Sequence, residues 1–365
     1  MPDLRARLFA PARDPLWGAV AAIAAALLVS FLAVAASGHD ALAGFGDLLS
    51  GAAGGRGPLG ETAIKAAVLI LTGLSVAVAF TVGLFNIGGE GQLIWGALAA
   101  AVVGRLDSPI ALPLSLLAAG LAGAGYGLLP GFLKVRRGVH EVISTILLNW
   151  VAIHLVHGWL VAGPLAAAGA GAVSVAGTEP IARAAWLPRL LPGSRLDLGF
   201  PVALSIAAGV WLLLTRTRRG FEWRATGAGR EAAEAAGIPA GRRICEAMAL
   251  SGALAGLGGA LLVLGTEHKY PGVFRTGYGF DGIAVALVGG GTAAGTTIAA
   301  LFFGALRAGA TRLQLVGIHP SFAELIQGLA VLLVAAPPLF LPLFARLRRR
   351  PAPATSAPPI PTAEP

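Results

Sequence analysis

Phe85-Asn86-Ile87-Gly88-Gly89-Glu90-Gly91-Gln92 interrupts a run of apolar residues where a chain of this kind should be crossing a bilayer. Before it, 63–84 is a long apolar span; after it, 93–103 is shorter and rich in alanine. A carboxylate, two amides and three glycines are costly in hydrocarbon. They persist only where protein or a water-filled cavity surrounds the backbone.

Composition supports the bilayer reading. The chain has 365 residues, 56% hydrophobic and 12% charged, against about 25% charged in an ordinary soluble domain. Mean hydropathy is +0.77, and apolar runs near 20 residues recur, which fits an all-α polytopic membrane protein. A soluble globule of this composition would expose large apolar patches. The net charge of +9 reads as lysine and arginine held in cytoplasmic loops, so no nucleic-acid partner is expected. A single cysteine, Cys245, excludes an intrachain disulfide and a cysteine metal cluster. The apolar segment at 16–36 exceeds the roughly 7–15 residues of a signal-peptide core, so it reads as an uncleaved first helix.

Apolar runs predict ten helices, near 16–37, 63–85, 92–104, 109–133, 141–162, 200–215, 243–265, 282–291, 294–310 and 322–345. The third and eighth are too short to cross a core of about 30 Å, and read as half-helices or tilted segments within the bundle. An even number of crossings puts both termini on one side. The N-terminus, the 134–140 and 215–243 loops and the 346–350 cluster hold 17 of the 27 Lys and Arg, which makes that side cytoplasmic. Residues 1–345 thus form one transmembrane domain, with 38–62 and 163–199 as outer loops. The tail, 346–365, is basic and then Pro/Ala-rich, and reads as disordered.

An internal repeat is visible. Gly138-Val139-His140 opens the fifth predicted helix and Gly317-Ile318-His319 the tenth. The broken stretch before helix three has a counterpart in Gly277-Tyr278-Gly279-Phe280-Asp281-Gly282 before helix eight. Helices 2–5 and 7–10 would be two copies, inverted because an odd number of helices separates them. Interrupted helices in matching positions point to a transport pathway.

The polar residues within these segments are the pathway candidates: Asn86, Glu90 and Gln92; Glu141, Ser144, Thr145 and Asn149; Asp281; Glu324 and Gln327. Glu90 reads either as steering solute at the inner end of the pathway or as a cap on helix three. Glu141, Thr145 and Asn149 recur at i, i+4 and i+8 on one helical face, which suits pathway lining or interhelical hydrogen bonding. Amides and hydroxyls with few charges suit a polar, uncharged solute. His154 and His157 lie off that face, with no third metal ligand in sight.

The 215–243 loop is the second informative stretch. Residues 220–227 lead into Arg230-Glu231-Ala232-Ala233-Glu234-Ala235-Ala236, a good short helix former stopped by Gly237 and Pro239. Such a helix either docks a partner or lies on the membrane surface. Residues 55–62 match phosphate-loop spacing, but Glu61 stands where the phosphate-binding lysine belongs, so no ATP hydrolysis is expected here.

Taken together, residues 86–92, 138–149, 224–238 and 277–287 closely resemble the permease subunits of bacterial ATP-driven nucleoside importers. These sit within the wider family that moves simple sugars and branched-chain amino acids. The resemblance covers about 60–345. It implies a type II importer fold in the plasma membrane, a second permease, a cytoplasmic ABC ATPase carrying ATP and magnesium, and an external solute-binding lipoprotein. It also implies a coupling helix, with Glu222, Arg224, Gly227, Arg230, Glu231, Ala232, Ala233, Glu234 and Gly237 at the ATPase contact. The permease needs no cofactor of its own. Two other readings stand beside this one: a sugar permease of the same family, and a self-contained secondary transporter. An intramembrane enzyme would need a nucleophile–base pair or a metal-ligand set, and neither is evident.

Overall fold

The computed structural model describes residues 40–168, 177–272, 274, 277–315 and 321–335, with seven positions between 24 and 35. The first predicted helix, the 317–319 motif, residues 336–345 and the tail fall wholly or largely outside these. Among the described residues there is no strand, only an isolated bridge between Arg189 and Asp197.

From residue 40 onward the described residues form twelve α-helices: α1 Ala41–Ala53, α2 Arg56–Thr81, α3 Gly89–Val103, α4 Ala111–Arg137, α5 Glu141–Leu155, α6 Gly199–Arg216, α7 Arg218–Ala228, α8 Arg230–Ala235, α9 Ala240–Leu262, α10 Tyr278–Val288, α11 Ala293–Leu315 and α12 Ser321–Ala335. Wider π-type turns extend α5 through Val156–Val161 and α9 through Val263–Glu267. Six helices are long and apolar enough to span a bilayer, and Ala41–Ala53, Gly89–Val103 and Tyr278–Val288 are shorter apolar helices. The expected half-helices are therefore real: α3 has 15 residues and α10 has 11, about 22 and 16 Å at about 1.5 Å per residue.

Two expectations need correction. The predicted outer loop at 38–62 contains α1, which Asp40 caps through the Ala43 N–H. Its glycines hide the apolar periodicity but let it lie close to α11, where a methyl on Gly51 would meet the Gly309 backbone. The 215–243 loop holds two helices rather than one. α7 was obscured by Arg218, Arg219 and Gly220, which carry no apolar period.

Burial separates core from periphery. The apolar stretches of α2 and α9 are 83% and 78% buried, while those of α4, α5 and α6 are 22–28% buried. α2 is apolar all round, as a central helix must be. The outer helices keep bare faces such as Leu117, Leu121 and Leu128 on α4, which suit lipid or a partner subunit. Between helices, small residues replace the hydrophobic effect as the means of close packing. Gly123 and Gly127 on α4 face Gly252 and Gly256 on α9, each pair one turn apart, and a methyl on Gly123 would strike the Gly252 carbonyl.

The packing pairs exchange in a regular way. α4 packs on α9 as α11 packs on α2; α3 on α9 as α10 on α2; α3 on α4 as α10 on α11. α5 meets α3 and α4 as α12 meets α10 and α11. The α3–α4, α3–α5 and α4–α5 contacts thus have counterparts in α10–α11, α10–α12 and α11–α12, and α2–α9 and α3–α10 are the pairs that map onto themselves.

Candidate functional site

The two half-helices meet N-terminus to N-terminus. Gly277, at φ 68°, takes the left-handed conformation that starts α10. The Gly277 and Gly279 N–H groups donate to Glu90 Oε1 (3.0 Å) and Oε2 (2.8 Å) at the start of α3. A methyl on Gly279 would overlap the Glu90 backbone. Glu90 is 3% exposed. Its charge sits where two helix N-termini converge, satisfying N–H groups that α10 leaves open. Glu90, expected as a cap on helix three or as a pathway residue, bonds the first N–H groups of α10 and also lines the neighbouring cavity.

Asn86 and Gln92 point elsewhere. Asn86 Nδ2 donates to Gln92 Oε1 (2.9 Å) and to Ser251 Oγ (2.7 Å), and its Oδ1 accepts from the Gly88 N–H (2.9 Å). Ser251 in turn donates to the Ser75 carbonyl (2.6 Å). All four side chains are buried. This network pins the broken segment to α2 and α9, and neither Asn86 nor Gln92 lines the cavity described next.

A cavity of about 1230 Å³ opens beside the junction. Glu90, Asn149, Asp281, Glu324 and Gln327 line it, while Glu141, Ser144 and Thr145 do not. The latter three fail for a local reason. Lys134 Nζ donates to Glu141 (2.8 Å), and the two hydroxyls donate back to the Glu141 carbonyl (3.0 and 2.8 Å). Asn149 serves both purposes: it lines the cavity while its Nδ2 donates to the Ile87 carbonyl (2.8 Å) and its Oδ1 accepts from the Gly91 N–H (2.8 Å).

Sequence reasoning missed half of the polar wall. Arg307 donates from Nε to Asp281 Oδ2 (2.7 Å) and lies 4.1 Å over the Tyr278 ring. Lys65 Nζ donates to the Arg307 carbonyl (3.0 Å) and to Thr311 Oγ1 (3.2 Å). Lys65 and Arg307, lone cations inside apolar runs, were the signal that would have found it. The expectation of a cavity with few charges is therefore corrected: Glu90, Asp281, Glu324, Lys65 and Arg307 all line it, together with the open rings of Trp150 and Phe280.

On the loop side, α7 and α8 form a hairpin seated on the bundle by charge. Buried Glu222 pairs with Arg218 Nε at 2.8 Å and lies 2.6 Å from Arg243 Nε, a close but poorly aligned ion pair. Arg243 continues to Glu246 at 2.6 Å. A methyl on Gly227 would hit the Thr81 carbonyl at the end of α2. Glu222 and Gly227 thus hold the hairpin to its own domain rather than reaching a partner. Ala233 is also turned inward, at 3% exposed. The surface facing away comprises Arg224, Arg230, Glu231, Ala232 and Glu234, with Gly237 at φ 79° ending α8 as expected. A groove of about 530 Å³ between the helices is lined by Phe221, Ala225, Ala228, Ala232, Ala236 and Ile238 among others.

Comparison with known proteins places this arrangement. Residues 59–335 match the family described as "Branched-chain amino acid transport system / permease component". The guanosine ABC transporter permease protein NupP of Bacillus subtilis is 38% identical, over 88% of this chain and 92% of its own. The glucose ABC transporter permease protein TsgB13 of Haloferax volcanii is 33% identical, over 88% and 87%. The nucleoside ABC transporter permease protein NupB of Lactococcus lactis subsp. cremoris is 32% identical, over 86% and 89%. No solved structure matches. With the family match spanning most of the chain, the protein belongs to the branched-chain amino acid transport system permease family and is an ABC transporter permease.

Proposed function

We propose that this permease carries nucleosides inward, beside a second permease and coupled to a separate cytoplasmic ATPase, with solute delivered by an extracytoplasmic lipoprotein. The observation that carries the reading is the cavity at the meeting of two half-helix N-termini. Interrupted helices facing each other across matched halves are the usual setting of a solute route. The exchange of packing pairs supports an inverted repeat of α2–α5 with α9–α12. On that reading the ten-crossing topology stands, with both termini and the α7–α8 hairpin in the cytoplasm, and the outward surface around Arg224 and Ala232 meets the ATPase.

The choice of nucleosides rests on kinship with NupP and NupB, supported by the open Trp150 and Phe280 rings in the cavity. Kinship with TsgB13 favours a sugar instead. A secondary carrier would need carboxylates available to a coupling ion. Here Glu90 accepts two backbone N–H groups and Asp281 holds Arg307, which leaves Glu324 as the one lining carboxylate without a partner among the described residues. Deleting the gene and measuring uptake of labelled guanosine and labelled glucose tests the substrate. Selective loss of guanosine uptake is expected; selective loss of glucose uptake would transfer the assignment to sugars.

A further inference from the structure

Two donors on the cavity wall are not fully partnered among the described residues. Gln327 lies on α12, is 7% exposed, and its Nε2 has no hydrogen-bond partner among the described residues. A buried amide nitrogen left so is unusual in a folded protein, because its desolvation is uncompensated. Lys65 shows the same excess. Its ammonium has three N–H donors, of which two go to the Arg307 carbonyl and Thr311 Oγ1. No carboxylate among the described residues lies within ion-pair distance of it; Glu61, one turn earlier on α2, pairs with Arg195 at 3.1 Å. Lys65 is half-buried, and a cation without an acidic partner within an apolar helix ordinarily faces a water-filled cavity or a ligand.

Most acceptors near these two donors are already engaged: Glu90 takes the Gly277 and Gly279 N–H groups, Asp281 takes Arg307, and the Asn149 oxygen takes the Gly91 N–H. Glu324 also lines the cavity, is exposed, and makes no bond to either donor among the described residues. The Gln327 amide and the third Lys65 N–H are thus left for acceptors that the described residues do not supply.

We propose that Lys65 and Gln327 are the solute-contacting donors of this cavity, and that they select a neutral, acceptor-rich solute of the purine-nucleoside type. This rests on the nucleoside reading above and extends it to named atoms. A purine presents ring nitrogens and a carbonyl to the Gln327 amide, and the ribose oxygens complement the Lys65 ammonium. The open faces of Trp150 and Phe280 give the flat ring apolar surface that a monosaccharide would use less fully. Because a donor must meet an acceptor, the shape of the side chain alone is insufficient. Gln327→Glu keeps the volume but offers no N–H at neutral pH.

The test is ATP-driven guanosine uptake into vesicles holding both permeases and the ATPase, supplied with the lipoprotein. Variants are Gln327→Leu, Gln327→Glu, Lys65→Met and Lys65→Arg. Loss of one solute hydrogen bond should lower the uptake rate about tenfold in the Leu, Glu and Met variants. Lys65→Arg, which keeps the donors, should recover most of the rate. Subunit assembly should stay at the wild-type level throughout, and the melting temperature should stay so in the Gln327 variants. Lys65→Met also gives up the bonds to Arg307 and Thr311, so its uptake is read per assembled complex and its melting temperature falls modestly. Full uptake by Gln327→Glu or by Lys65→Met overturns the proposal. So does loss of the second permease on purification of Gln327→Leu, since that would make the amide a subunit contact. A wild-type complex that moves glucose but no nucleoside refutes the underlying substrate reading, and the wild-type measurement alone reveals it.

Discussion

Glu90 shows how one side chain can be costly in the bilayer and still indispensable. Two backbone N–H groups of another helix depend on its carboxylate. Glu90→Ala should therefore destabilise the protein by about 3 kcal/mol, from two donors stranded in a buried site, and Glu90→Gln by about half of that. Thermal unfolding in detergent measures both; a Glu90→Ala protein as stable as wild type would remove the capping role. Asn149 makes the same point from the other side of the junction. Because it bonds both Ile87 and Gly91, Asn149→Leu should lower the melting temperature along with transport, not transport alone. That these residues mattered was legible in the sequence, since polar groups amid apolar runs demand partners. Which partner each takes was not. Asn86 finds Ser251, 165 positions away, and no local pattern encodes that pairing.

At the scale of elements, the α7–α8 hairpin divides into an anchoring side and a presenting side. Ala233 belongs to the first, so a bulky residue there would disturb the hairpin itself. Ala232 belongs to the second. Ala232→Trp, by bulk, and Arg224→Glu, by charge, should release the ATPase on purification while leaving the membrane domain folded. Retention of the ATPase by both variants would move the contact elsewhere. The 177–199 segment and the turn at His268 offer a pH test. His268 stacks on Trp186, with ring centroids 3.8 Å apart, and burial together with Arg189 and Arg195 lowers its proton affinity. The folded loop thus prefers neutral histidine. Its stabilisation is complete above the ordinary value near 6.5 and declines as pH falls below it, when the unfolded loop takes up the proton more readily. Hydrogen-exchange protection across 181–187, after correction for the intrinsic rate, should accordingly fall below about pH 6, and His268→Phe should flatten that dependence. Long apolar helices such as α2 and α9 were readable to within several residues, because a bilayer allows few alternatives. α1 and α7 were not, because close packing at Gly51 and the ionic seat at Glu222 do for them what apolar periodicity does elsewhere.

For the whole molecule, the two matched halves bring the α3 and α10 N-termini together beside a charged cavity, with a cytoplasmic-type hairpin fixed to the same core. The short motifs at 86–92 and 277–282 were legible because each places glycines and an acid at the start of a short helix. The cavity's charges were less visible, since Lys65 and Arg307 each look incidental until the fold sets them side by side. Coupling of this cavity to a separate ATPase is the central claim. Its most direct test is guanosine accumulation in vesicles carrying this chain, its companion permease and the ATPase, loaded through the lipoprotein. Accumulation should require ATP, vanish with an ATPase unable to hydrolyse it, and vanish again with Ala232→Trp. Accumulation by this chain alone, driven by a proton or sodium gradient with no ATPase present, would contradict the account.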